Sequence, residues 1–303
     1  MIAIRVPATS ANLGPGFDCL GLAVDLYLEV LAHHSEKNRF IYRGEGHLED
    51  SADNLIHRGF QEAHTALGKT APPIAFEVTN PIPLARGLGS SSAALVAGAA
   101  LADALLDNSL GREGVFQLTA RLEGHPDNVA PAVYGGFTIS ALTTEGSYLT
   151  QSLPLPVSWK LLFATPAFEL PTQEARAVLP TRYRRSEVIF NTSRTALWSL
   201  AVARNRPELL PVASQDALHE PYRKALIPGL AECRQALLED GAYAAFLSGA
   251  GPTLAVITDQ EHLERCRHLL ERYASQDGRV LELAAGEGYR LERRQSETPA
   301  SRL

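Results

Sequence analysis

Residues 83–94 read Pro-Leu-Ala-Arg-Gly-Leu-Gly-Ser-Ser-Ser-Ala-Ala, and from Ser92 to Leu106 the only charged residue is Asp103. A helix that is apolar nearly all round must be buried nearly all round, so this segment commits the chain to a core containing one such helix, entered through a polar glycine loop. Such a loop aims backbone N–H groups and the positive end of the helix dipole at one point, which suits a phosphate. Gly87 and Gly89 let the backbone approach closely, and Ser90, Ser91 and Ser92 add hydroxyls for phosphate or magnesium. The same residues would also serve as a Gly/Ser cap on an Ala-rich core helix, and the loop by itself favours neither reading. Gly68-Lys69-Thr70 is not a Walker A loop: the required first glycine falls at Ala63, and a helix rather than a strand precedes it.

A chain of 303 residues, 45% hydrophobic and 20% charged, can bury a substantial core, and roughly 100–200 residues per domain predicts two domains. No segment approaches the run of about 20 apolar residues that spans a bilayer. The net charge of −6 offers no attraction to nucleic acid, and the run Arg182 to Arg185 is too short for a binding arm. The start, Met-Ile-Ala-Ile-Arg-Val, leads into a motif and not into a signal peptide. The expectation is a cytoplasmic protein with neither membrane nor nucleic-acid partners. Cys19, Cys233 and Cys266 are odd in number with no Cys-x-x-Cys pair, which indicates neither a disulfide framework nor a zinc site. Oligomeric state is not legible, and a homodimer is compatible with all of this.

Alternation at Ile2, Ile4 and Val6, broken at Pro7, predicts an opening strand, with Ala23 to Leu31 as its partner. Asp53 to Leu67 has helical spacing, with Leu55, Ile56, Phe60, Ala63 and Leu67 on one face and Gly68 as the stop. Strands are expected at Ile74 to Val78 and Phe137 to Leu142, and Ser152-Leu-Pro-Leu-Pro156 reads as a linker, giving domains 1–152 and 153–303. The second half carries predicted strands at Trp159–Ala164, Thr253–Ile257 and Arg279–Leu283, and helices near Ser193–Arg204, Leu226–Glu239 and Glu261–Ala274. Without regular βα alternation, this order predicts two α+β domains and not one doubly wound sheet.

Five further segments concentrate chemistry. Pro7-Ala-Thr-Ser-Ala-Asn-Leu-Gly-Pro-Gly-Phe-Asp18 sets short polar groups between two strands; Asn12 offers donor and acceptor, and Asp18 a carboxylate for an ammonium group. Glu123-Gly-His-Pro-Asp-Asn-Val-Ala-Pro131 is dense in titratable and amide groups: Glu123 could hold magnesium, His125 and Asn128 could meet a substrate. Phe246-Leu-Ser-Gly-Ala-Gly-Pro-Thr253 is a second glycine turn, leaving a helix for a strand and serving equally as a tight bend or as cleft lining. Arg176 and Arg223 each follow a proline turn, and two converging guanidinium groups would suit a carboxylate.

Taken in order, these segments resemble the GHMP family of small-molecule kinases, with Pro83 to Ser91 as its Pro-x-x-x-Gly-Leu-Gly-Ser-Ser ATP motif. The resemblance runs from about Ile2 to Leu283. It implies an α+β protein with an N-terminal domain like the second domain of ribosomal protein S5, a ferredoxin-like C-terminal domain, and a cleft between them. ATP is implied as co-substrate, with Mg2+, and the branch of the family that is matched implies L-homoserine as acceptor, phosphorylated on its γ-hydroxyl on the route to threonine. It places Pro83, Leu84, Ala85, Arg86, Gly87, Leu88, Gly89, Ser90, Ser91, Ser92 and Ala93 on ATP, Asn54 near adenine, and Ser91 and Glu123 on magnesium. Asn12, Asp18, His125, Asn128, Arg176 and Arg223 are implied around the acceptor. Mevalonate-type relatives have an aspartate proposed as base, and the matching place here is Thr172. Catalysis is therefore expected to use Asn12 and Asn128 to orient the hydroxyl, without a dedicated carboxylate base.

Overall fold

The computed structural model describes residues 1–46 and 54–294. The first strands are β1 (Ile2–Ala11), β2 (Leu20–His34) and β3 (Arg39–Gly44), followed by α1 (Leu55–Ala66), β4 (Ile74–Asn80), α2 (Ser90–Leu105), α3 (Gly111–Glu123), α4 (Val129–Tyr134), β5 (Phe137–Leu142) and β6 (Tyr148–Leu153). Then come β7 (Lys160–Thr165), α5 (Thr172–Ala177), α6 (Arg185–Arg204), α7 (Leu210–Ala213), α8 (Glu220–Arg223), α9 (Leu230–Glu239), β8 (Ala244–Leu247), β9 (Leu254–Thr258), α10 (Leu263–Ala274), β10 (Arg279–Leu283) and β11 (Arg290–Arg293).

Seven strands form one sheet, in the order β11-β1-β2-β4-β3, with β5 pairing β2 and β6; four form another, β10-β7-β9-β8. Among the described strands only β3 and β4 pair in parallel. The two sheets, each with packed helices, are the α+β architecture expected. The larger sheet takes its edge strand β11 from residues 290–293, so the chain's last described strand returns to the sheet that its first strand opened.

Pro7 does not end the opening strand. β1 continues to Ala11, and its register on β2 jumps from Pro7 opposite Tyr27 to Ala8 opposite Val24. Proline has no N–H to give a ladder, and an irregularity of this kind is where a sheet tolerates it. The strand therefore carries Thr9 and Ser10 all the way to the site.

α2 lies in the core as its composition demands, buried from Ser92 to Ala104 except at Ala94. Its one charge, Asp103, is also buried and uses Oδ1 to accept the Leu110 N–H at 2.7 Å, fixing the turn into α3. The expected helix from Asp53 begins at Leu55 with Asn54 as its N-cap; Asp53 itself lies outside the described residues. α6 starts eight residues ahead of the expected Ser193, where Glu187 Oε2 reaches back to accept the Arg184 N–H at 2.7 Å. The glycine turn before Thr253 is entered from β8, not from a helix, and joins β8 to β9 as a hairpin. In the smaller sheet, Leu162, Leu247, Leu254 and Val256 pack with Leu263 and Leu270 of α10 into a second core.

Candidate active site

The glycine loop is held from both sides. Thr9 N–H donates to the Leu88 carbonyl at 3.0 Å, and Ser248, in the β8–β9 turn, donates its hydroxyl to the Gly87 carbonyl at 2.7 Å. Gly87 and Gly89 have φ of +78° and +69°, where side chains are strained. A Cβ on Gly87 would stand 2.2 Å from the Ser248 carbonyl oxygen, and one on Gly89 would stand 1.9 Å from Thr9 Oγ1. Gly89 is the N-cap of α2 and no side chain caps the helix. Among the described residues no side chain takes the first-turn N–H groups, a geometry that can accept an anion.

A cavity of about 80 Å³ opens in front of this helix end. It is lined by Pro83, Ala85 and residues 86–92 of the loop, and by Asn12, Glu123, His125, Asn128, Thr172, Arg176 and Arg223. Asp127, Gly249 and Ala250 line it as well. Asp18 stands beside it, bound to Arg176. Besides Asp18, three expected residues are not in its lining. Asn54 caps α1, its Oδ1 accepting the N–H groups of Ile56 and His57; Ala93 is buried inside α2; and Leu84 turns its carbonyl to Arg86. Arg86 lines the cavity but is itself spent on carbonyls, donating to Leu84 (2.9 Å), Pro166 (3.2 Å) and Ala167 (2.5 Å).

On the side facing the loop, Glu123 Oε1 accepts the Ser92 hydroxyl at 2.9 Å. Burial raises the Glu123 carboxyl above the usual range, against the opposing pull of His125 and of the Ser92 hydrogen bond. Among the described residues no lysine or arginine is ion-paired with it. A half-buried carboxylate hydrogen-bonded to the Ser92 hydroxyl, in a cavity that Ser91 also lines, fits a hard divalent ion.

Opposite lies a strongly charged wall. Arg176 holds Asp18 with both terminal nitrogens, at 2.6 and 3.2 Å. Arg223 is 1% exposed; burial, then the Arg176 charge, pulls it down to about 10. Both guanidinium groups lie near the Phe17 ring, Arg176 at 5.3 Å and Arg223 at 5.5 Å from its centre. His125 Nδ1 and Asp127 Oδ1 are 2.6 Å apart. Burial works against charge on His125, but Asp127 and Glu123 outweigh it and raise the imidazole above its ordinary range. Asn12 Nδ2 donates to the Gly249 carbonyl (3.0 Å) while its Oδ1 accepts the Asp18 N–H (3.1 Å). Asn128 Oδ1 accepts the Thr9 hydroxyl at 2.8 Å, which turns its amide N–H₂ away from Thr9. Asp127 and Thr9 were within segments singled out by sequence, but nothing in their spacing marked them as partners of His125 and Asn128.

Residues 54–136 match the family described as GHMP kinases N terminal domain, and residues 199–275 match GHMP kinases C terminal. The chain belongs to the GHMP kinases. It is 51% identical to the homoserine kinase of Thermus thermophilus over 94% of this chain and 97% of that one. With the homoserine kinase of Solibacter usitatus it shares 42% identity over 92% of each. The crystal structure of homoserine kinase from Cytophaga hutchinsonii superposes with a TM-score of 0.84 at 28% identity, covering 96% of this chain and 97% of that one. Within the GHMP kinases, it falls among the homoserine kinases. No helix among the described residues is long and apolar enough to cross a membrane.

Proposed function

We propose that the chain transfers the γ-phosphoryl group of ATP to the γ-hydroxyl of L-homoserine, giving O-phospho-L-homoserine and ADP on the route to threonine. The observation that carries this reading is the pairing, across one cavity, of an uncapped helix end in a glycine loop with a carboxylate and two arginines. The first suits a triphosphate. The second suits a zwitterion, whose ammonium can take Asp18 while its carboxylate takes Arg176 and Arg223. In the free enzyme Asp18 and Arg176 satisfy each other, so a ligand with only one of the two charges leaves one partner uncompensated. This supports selection for an amino-acid alcohol over mevalonate or a sugar.

The homoserine oxygen forms a bond to the γ-phosphorus as the bond to the bridging oxygen breaks, and the hydroxyl proton passes to a phosphate oxygen. A loose phosphoryl transition state needs in-line placement and charge neutralisation more than a base. The α2 N–H groups neutralise the phosphates, Asn128 and the remaining amide hydrogen of Asn12 orient the hydroxyl, and Thr172 stands without a carboxylate role. Ser91 and Glu123 would hold Mg2+, which supplies further charge neutralisation when bound. We place the cleft between residues 1–152 and 153–303, with the cavity as the point where the two substrates meet. ATP supply puts the enzyme in the cytoplasm in this reading.

The test is a coupled ADP-release assay against homoserine, mevalonate, galactose and shikimate. Turnover should be confined to homoserine, and comparable activity on any other alcohol defeats the proposal. In the same assay Thr172→Ala should keep turning over; abolished turnover with both substrates still bound would make Thr172 essential to the chemistry.

A further inference from the structure

Arg223 is aimed by a histidine that no reading so far has used. Its Nε donates to the Ala175 carbonyl at 3.0 Å and its Nη1 to the Gly249 carbonyl at 3.0 Å. The same Nη1 meets His219 Nδ1 at 3.0 Å. His219 is fully buried, and its Nε2 lies 2.7 Å from the Gly14 carbonyl oxygen. A guanidinium can only donate and a carbonyl can only accept. The two contacts therefore select one form of the ring: Nδ1 bears the lone pair that receives Arg223, and Nε2 bears the hydrogen given to Gly14.

His219 is itself held rigidly. The Asp216 carboxylate accepts the backbone N–H groups of Leu218, His219 and Glu220 at 3.0, 2.8 and 2.7 Å. Asn191 donates to both Asp216 (2.7 Å) and the Pro15 carbonyl (3.0 Å). The ring of Phe17 lies 5.4 Å from the imidazole. The loop bearing Asn12 and Asp18 is thus tied at Gly14 and Pro15 to the segment bearing Arg223.

We infer that His219 is a positioning residue: it fixes the Arg223 guanidinium against the loop carrying Asp18, and so sets the distance at which the amino-acid end of the substrate is gripped. This rests on the reading of Arg223 as a substrate ligand. His219 does not touch the phosphate loop, so its main effect is expected on the acceptor.

Two variants separate its two contacts. Asparagine places an acceptor near the Nδ1 position and keeps the hold on Arg223, whereas glutamine places a donor near Nε2 and keeps only Gly14. Losing a hydrogen bond to a charged group predicts that His219→Gln raises the homoserine KM about 10-fold or more, while His219→Asn stays within about 3-fold and the ATP KM of both stays within about 2-fold. Equal effects of the two variants, or an ATP KM that rises in step, overturn the inference. Arg223→Gln is the control. If it leaves the homoserine KM unchanged, the site assignment fails and takes this inference with it; if it raises the KM while His219→Gln does not, His219 alone is refuted. Should neither His219 variant fold, the ¹⁵N shifts of the wild-type imidazole, assigned through its contact with Phe17, decide the matter: an Nε2–H tautomer is expected, and an Nδ1–H or doubly protonated ring is the contrary result.

Discussion

Arg176→Ala should raise the homoserine KM and spare ATP, and the structure bounds by how much. A hydrogen bond between charged partners is worth about 1.5–3 kcal/mol, and alanine removes it from the substrate carboxylate. The free enzyme, however, already uses Arg176 on Asp18, and the two side chains are 37% and 34% exposed. Solvent screens such a pair to about 0–1 kcal/mol, and a substrate that shares Arg176 must give up part of that. The net loss is then about 1–2.5 kcal/mol, or roughly 5- to 70-fold in KM at 1.36 kcal/mol per decade. Steady-state ADP release, with each substrate varied at saturating levels of the other, measures it. Adding Asp18→Asn to Arg176→Ala should be far from additive, because the two residues contact each other. An unchanged homoserine KM, or an ATP KM that rises equally, would remove Arg176 from the acceptor site.

Gly89→Ala forces a side chain into φ of +69° and against Thr9 Oγ1. Left-handed strain of about 1–2 kcal/mol plus the loss of the Thr9–Asn128 hydrogen bond, about 1 kcal/mol, predicts a destabilisation of about 2–3 kcal/mol, read as a lower Tm in calorimetry; an unchanged Tm refutes the tight fit. Glu123→Gln tests the cation site through pH. Burial raises the Glu123 carboxyl in the folded protein, so folding favours its neutral form, and the stability associated with that form is lost as pH rises through the folded value. Without Mg2+, Glu123→Gln should therefore melt above the wild type at neutral pH, and the difference should vanish in acid below the ordinary glutamate range. With Mg2+ and ATP the order should reverse, because the ligand stabilises the wild type more. A variant less stable than the wild type at neutral pH without metal contradicts the raised carboxyl.

Much of the fold was legible wherever one segment's pattern sufficed. α2 had to be buried because a nearly uncharged helix has no face for water, and Phe137–Leu142 and Arg279–Leu283 were bounded by turn formers on each side. β3, β6, β8 and β11 escaped notice, and Ser152 and Leu153, read as the start of a linker, belong to β6: β3 and β6 are half-exposed or exposed throughout, β8 is four apolar residues, and β11 is a charged edge. Periodicity has little to act on in strands so short or so solvated. Pro7 misled for a related reason, since whether a missing N–H matters depends on the register of the neighbouring strand.

From the order of its residues alone, the chain determined that a phosphate loop precedes a core helix, and that one carboxylate and two arginines lie in segments resembling those of kinases that act on an amino-acid alcohol. Spacing along the chain carries that information because loop amides and first-turn hydroxyls are local. Only the tertiary structure decided that the helix end is left uncapped, that Asp18 and Arg176 hold each other across 158 positions, that Asn54 caps a helix, and that His219 bridges Gly14 and Arg223. Those are pairings between donors and acceptors brought together by packing, and no periodicity or motif encodes which buried polar group will meet which.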